Sequence, residues 1–117
     1  MSYVDGFVLA VPKDKIPEYK KIATKAGKVW LEHGALSYVE CVGDDVPPGK
    51  ITSFVKAVKL KEGEIVLFSW IVYKSRAHRD AVMKKVMADP RTMAMMKSMP
   101  FDTKRMIFGG FQPIIEM

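Results

Sequence analysis

Ile65-Val66-Leu67-Phe68-Ser69-Trp70-Ile71-Val72-Tyr73 is the stretch that decides the fold. The run holds no glycine or proline and is built almost wholly from β-branched, leucine and aromatic residues. That composition suits a strand whose two faces are both covered. Tyr3 to Val11 has the same character and is closed by Pro12. Its larger side chains fall on odd positions (Tyr3, Phe7, Leu9, Val11) and its smaller ones on even positions, so it too is apolar on both sides. Leu36 to Val42 reads as a further strand. Ile51 to Lys59 is expected to pair with the central run across a turn at Lys61-Glu62-Gly63-Glu64, after a loop at Gly43-Asp44-Asp45-Val46-Pro47-Pro48-Gly49.

Two longer helices separate these strands. Ile16, Tyr19, Ile22, Ala23, Ala26, Val29 and Trp30 recur at helical spacing, with Lys21, Lys25 and Lys28 on another face. Asp14 offers the N-cap, Pro17 falls in the first turn, and Gly34 suits the position just past the end near His33. Gly27 weakens the middle of this helix by about 1 kcal/mol relative to alanine, which suggests close packing there. Ser75 caps a second helix that ends near Asp89. Asp89-Pro90 opens a short helix stopped by Pro100, with Met93, Met96 and Met99 on one side. Lys104 to Ile115 is the last strand, bent or bulged at Gly109-Gly110.

The order strand, helix, strand, inserted segment, strand, helix, strand is that of two split βαβ units. The expected class is therefore α+β: a ferredoxin-like sandwich with one antiparallel sheet and both helices on one face. The 117 residues form a single domain, 1–117, with an inserted loop or hairpin at about 43–64. Because the strands are apolar on both faces, the uncovered face calls for a partner. A homodimer whose sheets pack face to face is the economical solution.

Composition narrows the functional classes. The net charge of +6 favours anionic partners over cationic ones. A single cysteine, Cys41, excludes an internal disulfide and a cysteine metal cluster and suits a reducing compartment. The N-terminus lacks the pattern of a signal peptide, and no apolar run approaches the roughly 20 residues that span a bilayer. A cytoplasmic protein with no membrane partner is expected.

The residues then call up a family. Tyr3-Val4-Asp5-Gly6-Phe7, Val39-Glu40-Cys41, Phe68-Ser69-Trp70-Ile71, Arg79-Asp80-Ala81 and Met87-Ala88-Asp89-Pro90-Arg91 all carry the match. So does Met99-Pro100-Phe101-Asp102-Thr103-Lys104-Arg105-Met106-Ile107-Phe108-Gly109-Gly110-Phe111. Together they resemble the YbaA-like family of uncharacterised bacterial proteins, a domain of unknown function, over nearly the whole chain. The resemblance implies the dimeric α/β-barrel type of fold. Its wider superfamily includes small monooxygenases that act without metal or flavin, haem-degrading proteins and stress-related proteins. It transfers no catalytic residues, and function drawn from it is fold analogy.

Six residues form the candidate pocket: Asp5, Tyr38, Glu40, Trp70, Asp102 and Arg105. Asp5 and Arg105 lie on strands that a ferredoxin-like sheet places side by side, and a charge in an apolar strand needs a partner. The pair reads either as a polar anchor for an anionic or hydroxylated ligand or as a salt bridge that sets register. Tyr38 and Glu40 share one face of their strand, and Phe68 and Trp70 share one face of theirs. Such groups line a small-molecule pocket or fill the core and interface. Asp102 stands at the entrance of the last strand.

His33 and His78 have no supporting carboxylate spacing, so no metal and no cofactor is expected. Cys41 in an apolar strand reads as a buried, inert thiol. Seven of the nine methionines fall between Met83 and Met106, either as a deformable lid over a ligand or as core filling. Two function classes follow. One is a protein that binds or transforms a small molecule in a barrel pocket. The other is a non-enzymatic dimer with a structural or stress role. Nucleic-acid binding through the basic surface is a minor third, since a sheet face used for dimerisation is closed to base stacking.

Overall fold

A computed structural model describes residues 1–117. Its elements are β1 (Tyr3–Pro12), α1 (Ile16–Glu32), β2 (Ser37–Val42), α2 (Phe54–Ala57), β3 (Glu64–Tyr73), α3 (Arg76–Ala88), α4 (Pro90–Met96) and β4 (Ile107–Phe111). Short 3-10 turns at Lys13–Lys15 and Thr103–Arg105 lead into α1 and β4. The four strands form one sheet in the order β2-β3-β1-β4, and every neighbouring pair is antiparallel. This is the ferredoxin-like α+β arrangement that the alternation of strands and helices implies. No helix is long and apolar enough to cross a membrane.

Register assigns the faces. Leu9 stands opposite Leu67 and Val11 opposite Ile65, and both pairs pack with Tyr19 of α1. Tyr3, Ile71 and Tyr73 pack with Ala26 and Val29 of α1, Val82 and Val86 of α3, and Met95 of α4. The odd-numbered residues of β1 and β3 therefore face the helices. Val8, Ala10 and Val66 face the other way, where they meet Val58 with Val46 and Leu60 around it.

That second cluster corrects one expectation. Ile51 to Lys59 does not extend the sheet, because Ser53 caps α2 by accepting from the Lys56 amide at 3.0 Å. The segment folds over the outer face of its own sheet, with the Phe54 ring 5.8 Å from that of Phe68. Its last turn places Lys59 at φ 50, a left-handed conformation that a non-glycine residue adopts at a cost.

Other boundaries shift for local reasons. Lys13–Lys15 forms a 3-10 turn, so Asp14 does not cap α1, although Pro17 sits in its first turn. At the other end Gly34 has φ +115, as the residue past a helix end requires. Helix α4 ends at Met96, ahead of Pro100. The last strand is shorter than expected, and it pairs with β1 in unbroken register through Gly109 and Gly110. No bulge forms. Glycine is required at 110 because a Cβ there would come within 2.3 Å of the Tyr3 hydroxyl.

Tyr3 in turn lies beneath Arg79 of α3, whose guanidinium carbon is 5.0 Å from the ring centroid. Arg79 Nη1 donates to Asp5 Oδ1 at 2.9 Å. Asp5 is only 6 % exposed, and burial raises its pKa against the opposing pull of Arg79. Removing Arg79 leaves that carboxylate buried without a counter-charge. Arg79→Ala is expected to cost about 3 kcal/mol in urea denaturation. In an Asp5→Asn background the same substitution should cost clearly less. Equal losses in the two backgrounds would show that the pair does not couple α3 to the sheet.

Candidate functional site

Between the sheet and the helices lies a cavity of about 380 Å³, and 17 of its 21 lining residues are hydrophobic. Phe7, Leu9 and Ile71 form part of its floor, and α1 contributes Ile22, Ala26 and Trp30. Met83, Met87, Met95, Met96, Met99 and Met106 also line it. The methionine cluster thus lines an interior space as well as packing beneath the helices. Unbranched thioethers suit a wall that adapts to different shapes.

The polar end of the cavity is built around Glu40. Tyr38 and Glu40 both point to the helix side of β2, since their register partners are Ile71 and Ser69. Tyr38 Oη donates to Glu40 Oε2 at 2.7 Å, and Tyr19 Oη of α1 donates to Glu40 Oε1. Burial, reinforced by the neighbouring carboxylate, pushes both phenol pKa values far up, so the two hydroxyls remain donors. Two details hold the rings. The rings of Phe101 and Tyr19 pack in a T-shaped arrangement with centroids 5.8 Å apart, and Gly27 leaves room for Tyr38, whose Cδ1 would lie 3.0 Å from a Cβ at that position.

An open cleft of about 600 Å³ runs along the outside of α1 and β2. Tyr19, Ala23, Tyr38 and Glu40 line both spaces, so this group stands where the inner cavity and the outer cleft meet. Lys20 and Lys28 belong to the outer cleft alone. Ser69 and Thr92 add hydroxyls to the inner cavity. Thr92 is 2 % exposed, and its Oγ1 has no hydrogen-bond partner.

Of the six residues picked from the sequence, the structure brings Tyr38 and Glu40 together in this space. The other four lie elsewhere. Asp5 and Arg105 do not pair. Asp5 is opposite Gly110, whereas Arg105 precedes β4 in the 3-10 turn, beyond the point where Ile107 meets Val8. Trp70 projects from the outer face of the sheet, beside Phe68 at 5.7 Å. Asp102 caps the 3-10 turn by accepting from the Lys104 amide at 3.1 Å and also accepts from Arg105 Nε at 3.0 Å.

Arg105 is the centre of a separate clasp. It donates to both oxygens of Glu64, at 2.7 and 2.6 Å, and to the carbonyl of Lys59 at 3.1 Å. It thereby ties the start of β4 to the end of the inserted segment and holds the left-handed Lys59. Cys41 is exposed instead of buried, because β2 is an edge strand. His33 and Asp89 join at 2.9 Å where α1 meets α4, and no group of three or more His, Cys, Asp and Glu side chains is placed to hold a metal ion.

Tyr19, Ser69 and Thr92 were not singled out from the sequence. Tyr19 had a signal: a tyrosine in the apolar stripe of a helix buries a hydroxyl that needs a partner. The two small hydroxyls had none, since their meeting depends on how α4 lies over the sheet.

Comparison with known proteins places this geometry. Residues 2–103 match the family described as "Protein of unknown function (DUF1428)". The chain belongs to this family. A relative named "Uncharacterized protein YbaA", from Escherichia coli strain K12, is 55% identical over 116 residues, 99% of each chain. Among solved structures, SnoaB of Streptomyces nogalater, a cofactor-independent oxygenase, superposes with a TM-score of 0.64. It is 11% identical, with 99% of this chain and 96% of that chain covered. A putative antibiotic biosynthesis monooxygenase from Nitrosomonas europaea gives a TM-score of 0.61 at 12% identity, covering 97% of this chain and 90% of that one. At such identities the likeness establishes the fold.

The Arg105 clasp has a pH signature. Hydrogen bonds from Arg105 hold both the Glu64 and the Asp102 carboxyls below their ordinary values of about 4.5 and 3.8. A depressed folded pKa contributes stability that is present above the unfolded value and lost as pH falls through the folded one. Urea midpoints should therefore drop progressively from about pH 5 downward. Glu64→Gln should flatten that acid limb, and an unchanged limb would show that the clasp does not contribute to it.

Proposed function

We propose that this protein binds a small, largely apolar organic molecule in the cavity between sheet and helices. The carrying observation is the cavity itself: about 380 Å³, walled mainly by apolar side chains, with a few convergent polar groups at one end. That is the usual composition of a small-molecule site. The SnoaB fold supports extending the reading to a reaction carried out on the bound molecule, as fold analogy. No residue role is taken from that protein.

The outer face of the sheet supports the second part of the proposal, a homodimer. Phe68 is 42% exposed and Phe111 64%, and with Trp70 and Val72 they make an apolar surface beside the one covered by α2. A second copy of the same face would cover it, and a stable interface needs about 800 Å² from each partner.

Two measurements test these statements. In a thermal-shift screen of apolar aromatic compounds, a binder at a hundredfold excess over its Kd should stabilise the fold by about 2.7 kcal/mol. Ala23→Phe, which narrows the cavity, should abolish the response. A screen without hits, or hits indifferent to that substitution, would remove the cavity as the site. Light scattering should give a dimer at micromolar concentration and a monomer for Trp70→Lys. A stable wild-type monomer would end the dimer proposal.

A further inference from the structure

Resting on the cavity reading, we infer that Glu40 is the recognition group of this site and that the ligand is an uncharged aromatic molecule bearing a hydroxyl. The two phenols explain the first half. Tyr19 approaches from α1 and Tyr38 from β2 itself, and each donates to a different oxygen of the Glu40 carboxylate. A carboxylate has about four lone-pair sites, so two remain after these bonds. Glu40 is thereby fixed in position and still able to accept.

The surroundings determine what it accepts from. Glu40 is the sole charged residue lining the inner cavity, where no lysine, arginine or histidine is present. An anionic ligand would meet the carboxylate with no compensating cation, in a space where charge is costly. A cationic ligand would have to leave water for a largely apolar cavity, facing a carboxylate already engaged by two donors. An uncharged O–H avoids both costs and donates a charge-assisted hydrogen bond.

Two further hydroxyls suit the same ligand class. Ser69 lies directly across the strand pair from Glu40 on the cavity side and is 6 % exposed. Thr92 faces the cavity from α4, nine-tenths and more buried, with its Oγ1 unpartnered. Each can accept from or donate to a ligand oxygen, and neither brings a charge. The body of the ligand is set by the rest of the wall. Methionine sulfurs and the rings of Phe7, Trp30 and Phe101 favour flat aromatic carbon over a flexible aliphatic chain.

Naphthalene derivatives separate these features by calorimetry on the intact protein at neutral pH. 1-Naphthol should bind about tenfold or more tightly than 1-methoxynaphthalene, which keeps the oxygen and loses the donor. It should also bind more tightly than 1-naphthoate and 1-naphthylmethylammonium. Glu40→Leu should erase the preference for naphthol over the methoxy compound, and Glu40→Gln, which keeps one amide oxygen as acceptor, and Tyr38→Phe should reduce it. If naphthol and methoxynaphthalene bind equally to the wild type, the recognition role of Glu40 is overturned while the cavity reading stands. A preference for the carboxylate or the ammonium probe overturns the assigned ligand class. If none of the four binds, the assigned ligand class is overturned, and the cavity reading is decided by the broader thermal-shift screen.

Discussion

Both faces of this four-stranded sheet are apolar, so the sheet must be covered twice, and most of the architecture answers that demand. Burying a large apolar side chain stabilises a fold by about 1.5 to 3 kcal/mol, and the strands carry such side chains on each side. On one side α1, α3 and α4 supply the cover. On the other, α2 and its flanking turns shelter Val8, Ala10 and Val66. The inserted segment thus supplies half of a second layer that the ferredoxin-like plan omits.

The helix side is not filled to the end. The space left there is bounded by methionines, which conform to neighbours without dictating one arrangement. Every charge at the sheet surface is meanwhile matched to a specific donor. Asp5 has Arg79, Glu64 has Arg105, and Glu40 has two phenols. The first two pairs join elements that are distant in sequence and satisfy their own hydrogen bonds. Glu40 differs in kind, since its donors are neutral and its charge is not cancelled by a cation. This difference separates a structural ion pair from a group with recognition left to offer.

The sheet and its order were legible because strands read from local composition and their pairing follows from the βαβ order. Ser75 was legible as a cap and Asp89-Pro90 as a helix start for the same local reason, and both side chains accept from the backbone at those places. The failures all needed the third dimension. Ile51 to Lys59 has a strand-like composition, but Ser53 caps a helical turn there. The glycine pair in β4 looked like a bend, but the strand runs straight through it and Gly110 is a seat for the Tyr3 ring. Asp5 had a visible need for a cation, yet nothing in the sequence pointed to Arg79, 74 positions away. Tyr38 and Glu40 could be placed on one face by parity. Their partner Tyr19 could not, because the contact depends on how far α1 is rotated.

Gly27 carries a consequence for how freely this chain can vary. Alanine at that position would improve the intrinsic stability of α1 by roughly 1 kcal/mol. It would also set a methyl group against the ring of Tyr38, which already fills the space where that methyl would go. The ring would have to give by a few tenths of an ångström, which strains the hydrogen bond from its hydroxyl to Glu40. The missing side chain on the helix is thus one determinant of the pocket's chemistry. Selection for a sturdier helix and selection for a fixed acceptor pull in opposite directions at this one residue.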